Sequence, residues 1–129
     1  GIPAGAYART IREDPVRRGL LYAGTETGVY VSFDDGRRWE PLQLNLPRSS
    51  VRDLRVHGTD LVAATHGRSF WVLDDVSLLR QLADSVTARP AFLFQPATAV
   101  RWASGGSPSL TAGQNPQGGA VVDYWLRTA

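Results

Sequence analysis

The chain has 129 residues, a net charge of +2 and no cysteine. This length predicts one domain, or one domain with an extension, and the absence of cysteine excludes a disulfide framework and a thiolate metal site. All 14 basic residues are arginines scattered among 12 acids, so we expect no nucleic-acid surface. No apolar run approaches the roughly 18 residues of a membrane-spanning helix, and no membrane contact is expected. Thirteen glycines and eight prolines favour a turn-rich β protein.

The first part of the chain predicts a meander of short strands joined by turns. Asp14-Pro15 begins the first turn, and Pro41 suits a strand at a sheet edge because it lacks a backbone N–H. Alternating or continuous apolar runs mark four strands. They are residues 7–13, 20–25, 29–32 and 39–44.

A second unit repeats the first at an offset of 40 residues. Leu21–Thr25 aligns with Leu61–Thr65, and Tyr30–Asp35 aligns with Phe70–Asp75, without a gap. A period near 40 residues built from four strands is typical of β-propeller blades. We therefore predict an all-β fold with two four-stranded propeller-type blades, at about 7–46 and 51–75, which form an incomplete propeller.

The repeat ends after Asp75. Val76, Leu79 and Leu82 share one helical face, which predicts a terminating helix at about 75–83. The blades and this helix form a region 1–82. The remaining region, 83–129, is predicted to be extended and Gly/Pro-rich, with extended runs at 91–94 and 97–102, a mobile loop at 104–119 and a final strand at about 120–127.

The turn after the third strand carries a motif. Ser32-x-Asp34-x-Gly36-x-x-Trp39 resembles the Asp-box, or BNR repeat, of sialidases, sortilin-type receptors, xyloglucan-cleaving propeller enzymes and photosystem assembly factors. Arg38 stands where that family usually has Thr. The resemblance implies that Asp34 is structural and lies at the outer edge of a blade.

A closer resemblance covers nearly the whole chain. The segment Thr65–Asp75 and the segment Asn115–Leu126 are similar to the end of bacterial sortilin-like or glycosyl-hydrolase-like tandem propeller proteins, where a propeller is followed by the first strand of a β-sandwich. The resemblance implies a protein or glycan ligand and a secreted or periplasmic location. The sequence has no phosphate loop, dinucleotide fingerprint or zinc motif, so we expect no cofactor.

Two blades cannot close a propeller, which needs at least about four. Each blade buries its faces against its neighbours, so an isolated pair exposes two apolar faces. Other copies of the chain can supply the missing blades, the remainder of a larger propeller protein can do so, or the C-terminal strands can cover one face. We expect assembly with other chains.

Two turns carry adjacent carboxylates that are candidates for catalysis. Neighbouring carboxylates such as Asp34 and Asp35 point apart in a turn, whereas a glycosidase needs two of them facing each other across a cleft. Asp74 and Asp75 predict a turn or a helix cap, with a calcium site as the alternative. His57 and His66 do not fall at a metal-binding spacing. We therefore expect no catalytic residue and no metal ligand.

The best candidates for binding are His66 and Arg68, on the connection between two strands, and Glu26, at the equivalent place in the first unit. A histidine beside an arginine can bind an anion. The alternative is structural: His66 bonds to the backbone, and Arg68 pairs with an acid such as Asp53. Trp71 is predicted to lie in the core, and Trp102 and Trp125 in interfaces, with sugar stacking as the alternative.

These observations favour a non-catalytic structural or interaction module, a partial Asp-box propeller that assembles with other chains and binds a protein or glycan. The alternative is part of a glycoside-hydrolase-like propeller enzyme of the sialidase or xyloglucanase type. A sialidase needs an arginine cluster with a tyrosine nucleophile and an acid, and a xyloglucanase needs two separated aspartates. Neither set can be assigned in this sequence.

Overall fold

The computed structural model describes residues 1–99 and 119–128. The protein is mostly β, with three antiparallel sheets and two short helices in the described residues. Trp102, the segment Asn115–Gly118 and nearly all of the predicted loop at 104–119 lie outside them. The chain divides into two compact units, Gly1–Arg80 and Gln81–Ala129, and the predicted boundary lies two residues later.

The first sheet has four strands in the order β1-β2-β3-β4, and consecutive strands are antiparallel neighbours. Short turns hold this meander together: Gly19 and Gly36 both adopt positive φ, which glycine allows without steric cost. The last strand is only two residues long and includes Pro41, as expected at a sheet edge. The strands are β1 (Ala8–Glu13), β2 (Leu21–Thr25), β3 (Val29–Ser32) and β4 (Glu40–Pro41).

The second sheet has three strands in the described residues, and the prediction of a fourth strand within 51–75 is wrong. Its order is β5-β6-β7, formed by Val51–His57, Asp60–Thr65 and Phe70–Leu73. After Asp75 the chain enters a helix, and no described residue after it pairs with the outer edge of β7. The first sheet adds its fourth strand through the Ser32–Trp39 turn, and the second sheet lacks the glycine and tryptophan of that turn.

The ungapped offset of 40 residues also fails in the third strand. Ala23 pairs with Tyr30 in the first sheet, and the equivalent Ala63 pairs with Trp71 in the second. β7 is therefore offset from β3 by 41 residues, because the connection before β7 is one residue longer. Val29 and Val31 correspond to Phe70 and Val72.

The core of the first unit lies between the two sheets. The β5 strand packs across β1 and β2. Gly24 lies at this contact, where an added Cβ atom would meet Val51 at 2.8 Å. Ten buried apolar residues form one cluster: Leu20, Tyr22, Val29, Val31, Leu46, Val51, Leu54, Leu61, Ala63 and Val76.

A one-turn helix closes the first unit. It is α1 (Ser77–Gln81), and Asp75 caps it by accepting a hydrogen bond from the Ser77 backbone N–H at 3.0 Å. Asp75 therefore caps a helix, which is one of the structural roles that the sequence predicted for it. Val76 is fully buried, and Leu79 packs against the core.

The second unit is small. It contains α2 (Asp84–Thr87) and a two-stranded sheet of β8 (Ala91–Leu93) and β9 (Tyr124–Leu126). Trp125 pairs with Phe92 across this sheet, so the final strand has a partner that the sequence did not identify. No strand forms in residues 97–99.

Candidate functional site

The turn between β3 and β4, formed by Ser32–Trp39, is a closed hydrogen-bond network. The buried Ser32 hydroxyl donates to Asp34 Oδ1 at 2.9 Å and accepts from the Gly36 backbone N–H at 2.9 Å. Asp34 Oδ1 also accepts from the Arg38 backbone N–H at 2.8 Å. Gly36 has φ 84°, and a Cβ atom added at this position would lie 3.6 Å from the ring of Trp39. Each residue of the motif thus helps to hold the turn in its conformation.

The two adjacent carboxylates of this turn do not form an acid–base pair. The Arg38 backbone N–H, with help from the Ser32 hydroxyl, holds the pKa of the Asp34 carboxyl below its usual range. Asp35 has φ 61° and donates its backbone N–H to Gly19 O at 3.0 Å, which anchors the turn to the preceding one. An ionised, hydrogen-bonded Asp34 is a poor proton donor, and its contacts are structural.

Glu26, on the connection between β2 and β3, is engaged by positive charge. Its carboxylate forms an ion pair with Arg9 from β1. The Ser50 hydroxyl faces it, although without the geometry of a well-formed hydrogen bond. The Ser50 hydroxyl, Arg9 and Arg52 together hold the pKa of the Glu26 carboxyl below its usual range.

His66 lies on the equivalent connection of the second sheet, and Ser50 joins it to Glu26. The His66 backbone N–H donates to Ser50 O at 2.8 Å, while the Ser50 hydroxyl faces Glu26. The structure therefore brings these two connections to the same end of the sheets. The His66 side chain itself is exposed.

Arg68 contributes its backbone to the fold and leaves its side chain in solvent. Its carbonyl accepts a hydrogen bond from Trp71 Nε1 at 2.8 Å, and Trp71 packs against the core. The suggested pairing of Arg68 with Asp53 does not form, because Asp53 pairs with Arg12 at 2.6 Å. The guanidinium of Arg68 is exposed, and none of the described residues pairs with it.

The sequence analysis missed the only ion pair with a buried carboxylate among the described residues. Asp14, whose side chain is fully buried, accepts from Arg80 Nε, and it also accepts from the backbone N–H groups of Val16 and Arg17. Burial raises the pKa of the Tyr22 hydroxyl, which lies 3.4 Å from Asp14. The Asp14-Pro15 turn was visible in the sequence, but nothing there linked it to Arg80.

A small apolar cleft of about 50 Å³ opens between the two sheets beside β7. One wall is the segment that follows β4, and the other is formed by β6 and β7. Leu44, in the first wall, is 70% exposed. The cleft is lined by Val29, Leu42, Gln43, Leu44, Asn45, Leu46, Leu61, Ala63, Trp71, Val72 and Leu73.

Within the described ranges, no three His, Asp or Glu side chains come together in a way that could hold a metal ion. In the same part of the chain, no helix is long and apolar enough to cross a membrane. Comparison of the chain with protein-family models, curated proteins and solved structures found no match.

Proposed function

We propose that the chain is a non-catalytic interaction module: a partial Asp-box propeller that assembles with other chains and binds a protein or glycan on the assembled surface. The observation that carries the proposal is the exposure of apolar side chains on both outer faces of the two-sheet stack. Phe70 and Val72, on the second sheet, are 75% and 52% exposed, and Ile11, on the first, is 51% exposed. Apolar sheet faces of this kind need a partner.

The way in which the sheets stack supports further stacking. The first sheet turns Tyr22 and Val31 toward the second, which turns Leu61 and Ala63 toward the first. Leu61 and Ala63 are the repeat equivalents of Leu21 and Ala23, which lie on the opposite, outer face of the first sheet. The contact is therefore head-to-tail, and such a contact can be repeated on either side until a ring closes.

The outer faces also match in chemistry. On the second sheet, Val62 and Ala64 lie beside Val72 and Phe70. On the first sheet, Ile11, Ala23 and Tyr30 form one row across three strands. In the repeat, the outer row of the second sheet corresponds to the face of the first sheet that packs inside the chain. The outer row of the first sheet corresponds to the packed face of the second sheet.

Light scattering with native mass spectrometry tests this proposal. We expect an oligomer at micromolar concentration, and the double variant Phe70→Ser/Val72→Thr should shift it toward the monomer. Val16→Ser is the matched control, because Val16 is equally exposed but lies in a turn. A stable wild-type monomer at micromolar concentration would contradict assembly by copies of this chain.

The glycoside-hydrolase alternative remains a prediction that no contact in the described residues favours. Asp34 is held within its turn, and Glu26 is paired with Arg9. A screen of aryl glycosides tests it: turnover that is lost in Glu26→Gln would favour the enzyme over the interaction module.

A further inference from the structure

In the part of the chain that the structure describes, the outer edge of β7 is open, whereas the equivalent edge of β3 is occupied by β4. In the first sheet, the Leu42 backbone N–H donates to Val29 O at 2.9 Å, and Val31 pairs with Glu40. Val29 and Val31 thus direct their backbone groups outward. Among residues 1–99 and 119–128, no strand pairs with the second sheet at this edge.

The backbone of β7 presents the same groups, and no described residue pairs with them. Thr65 N–H donates to Ser69 O at 3.1 Å, so Ser69 and every second residue after it bond inward to β6. Phe70 and Val72 must then direct their N–H and C=O groups to the open edge. No hydrogen bond to these outward groups is formed by the described residues.

The apolar cleft lies beside this edge because the two sheets differ in width. The first sheet is four strands wide and the second is three, so the segment after β4 extends past β7. Leu42 and Leu44 overhang from that segment, and Trp71 and Leu73 face them from β7. A strand added to β7 would direct every second side chain into this cleft.

The two ends of β7 carry opposite charge. Arg68 precedes the strand, Asp74 and Asp75 follow it, and all three are exposed. A strand antiparallel to β7 would begin near the aspartates and end near the arginine. The first sheet shows the same arrangement, since Arg38 precedes β4 and bonds through its backbone to Asp34, just after β3.

We propose that the β7 edge and the adjoining cleft bind an extended peptide segment of another chain by β-strand addition. The segment runs antiparallel to β7, has basic residues at its N-terminal end and an acidic group at its C-terminal end, and inserts an apolar side chain between Leu44 and Trp71. This inference rests on the proposed role as an interaction module, but it concerns the strand edge rather than the outer faces.

A peptide with the sequence of residues 37–44 is the probe, because this segment occupies the equivalent edge of the first sheet. Its Pro41 prevents further strands from pairing with it. In fluorescence anisotropy with the full chain, we expect saturable binding. N-methylation of the amide at position 42, which would donate to Phe70, should weaken binding about tenfold, as expected for one lost hydrogen bond. N-methylation at position 43, whose amide faces away, should have no effect.

Variants of β7 test the same contact from the other side. Val72→Pro removes one outward N–H and no bond to β6, so it should weaken peptide binding, whereas Val72→Thr should not. Circular dichroism of both variants checks the fold. The amides of Phe70 and Val72 should exchange quickly in the free chain and slowly with the peptide. Slow exchange in the free chain, or equal binding of both methylated peptides, overturns the inference.

This result is independent of the assembly test. Oligomers in light scattering with no peptide binding overturn the strand site alone. Peptide binding to a monomeric chain supports the strand site and contradicts assembly by copies of the chain.

Discussion

Arg80 Nε lies 3.0 Å from both carboxylate oxygens of Asp14. Asp14 belongs to the first turn of the first sheet, and Arg80 also donates to Gly58 O, in a turn of the second sheet, at 2.9 Å. Arg17 adds a bond from its guanidinium to Leu79 O at 2.8 Å. One arginine of α1 therefore ties together the ends of both sheets and the helix that follows them.

Removing one partner of this buried pair should strongly destabilise the first unit. Arg80→Leu leaves the Asp14 carboxylate buried without its counter-charge, and we expect a loss of about 3 kcal/mol in the free energy of unfolding. Urea unfolding followed by tryptophan fluorescence measures it. The exposed Arg18, changed to Leu, is the control and should change stability by less than about 0.5 kcal/mol. Equal effects of the two variants would show that the pair contributes nothing.

Asp14 should also make stability depend on acid pH. Burial acts to raise the pKa of its carboxyl, but the N–H groups of Arg17 and Val16 and the Arg80 side chain outweigh burial, so the pKa lies below its usual range. A carboxyl with a lowered pKa in the folded state stabilises the fold above its ordinary pKa of about 4 and loses that contribution as the pH falls further.

The measurement is the urea midpoint of unfolding between pH 6 and pH 3. The wild-type midpoint should fall across this range. The Asp14→Asn variant should be less stable at pH 6 and show a smaller fall, because it has lost one of the groups that take up a proton on unfolding. An unchanged slope in this variant would rule out Asp14 as a source of the acid sensitivity.

The features that the sequence predicted are those that depend on residues close to each other in the chain. The strands of the first sheet follow from local apolar patterns, and the Ser32–Trp39 turn follows from a motif whose residues bond to each other. The offset of β7 and its missing partner strand did not follow, because a one-residue change in the connection after Thr65 preserves the apolar pattern while it changes the pairing.

In the candidate site, too, the sequence predicted local features and missed a contact between residues far apart in the chain. Glu26 and His66 were placed on equivalent connections from the repeat, and both do lie next to Ser50. The pairing of Arg80 with Asp14 joins residues 66 positions apart. Such a contact depends on how α1 docks on the sheets, and no local pattern records it.

The stability of the Ser32–Trp39 turn should depend on the Ser32 hydroxyl more than on the Asp35 carboxylate. Ser32→Ala leaves the half-buried Gly36 N–H without its acceptor and removes the bond to Asp34, so we expect a loss of about 1–2 kcal/mol. Asp35→Asn is the control: Asp35 contributes through its backbone, and Asn tolerates positive φ. Thermal and urea unfolding measure both variants. A larger loss in Asp35→Asn would mean that the Asp35 carboxylate, not the Ser32 network, holds the turn.

The close approach of β5 to the first sheet can be tested at Gly24. A Cβ atom at this position would meet Thr10 Cγ2 and Val51 Cγ1, each at 2.8 Å, so Gly24→Ala must push β5 away from β1 and β2. We expect a loss of about 1–3 kcal/mol from this overpacking. Val51→Ala removes one of the opposing methyl groups and leaves a cavity of its own. The double variant should therefore lose less stability than the sum of the two single losses, by about 1 kcal/mol, because each change relieves the other. Purely additive losses in urea unfolding would show that the sheets do not touch at this point.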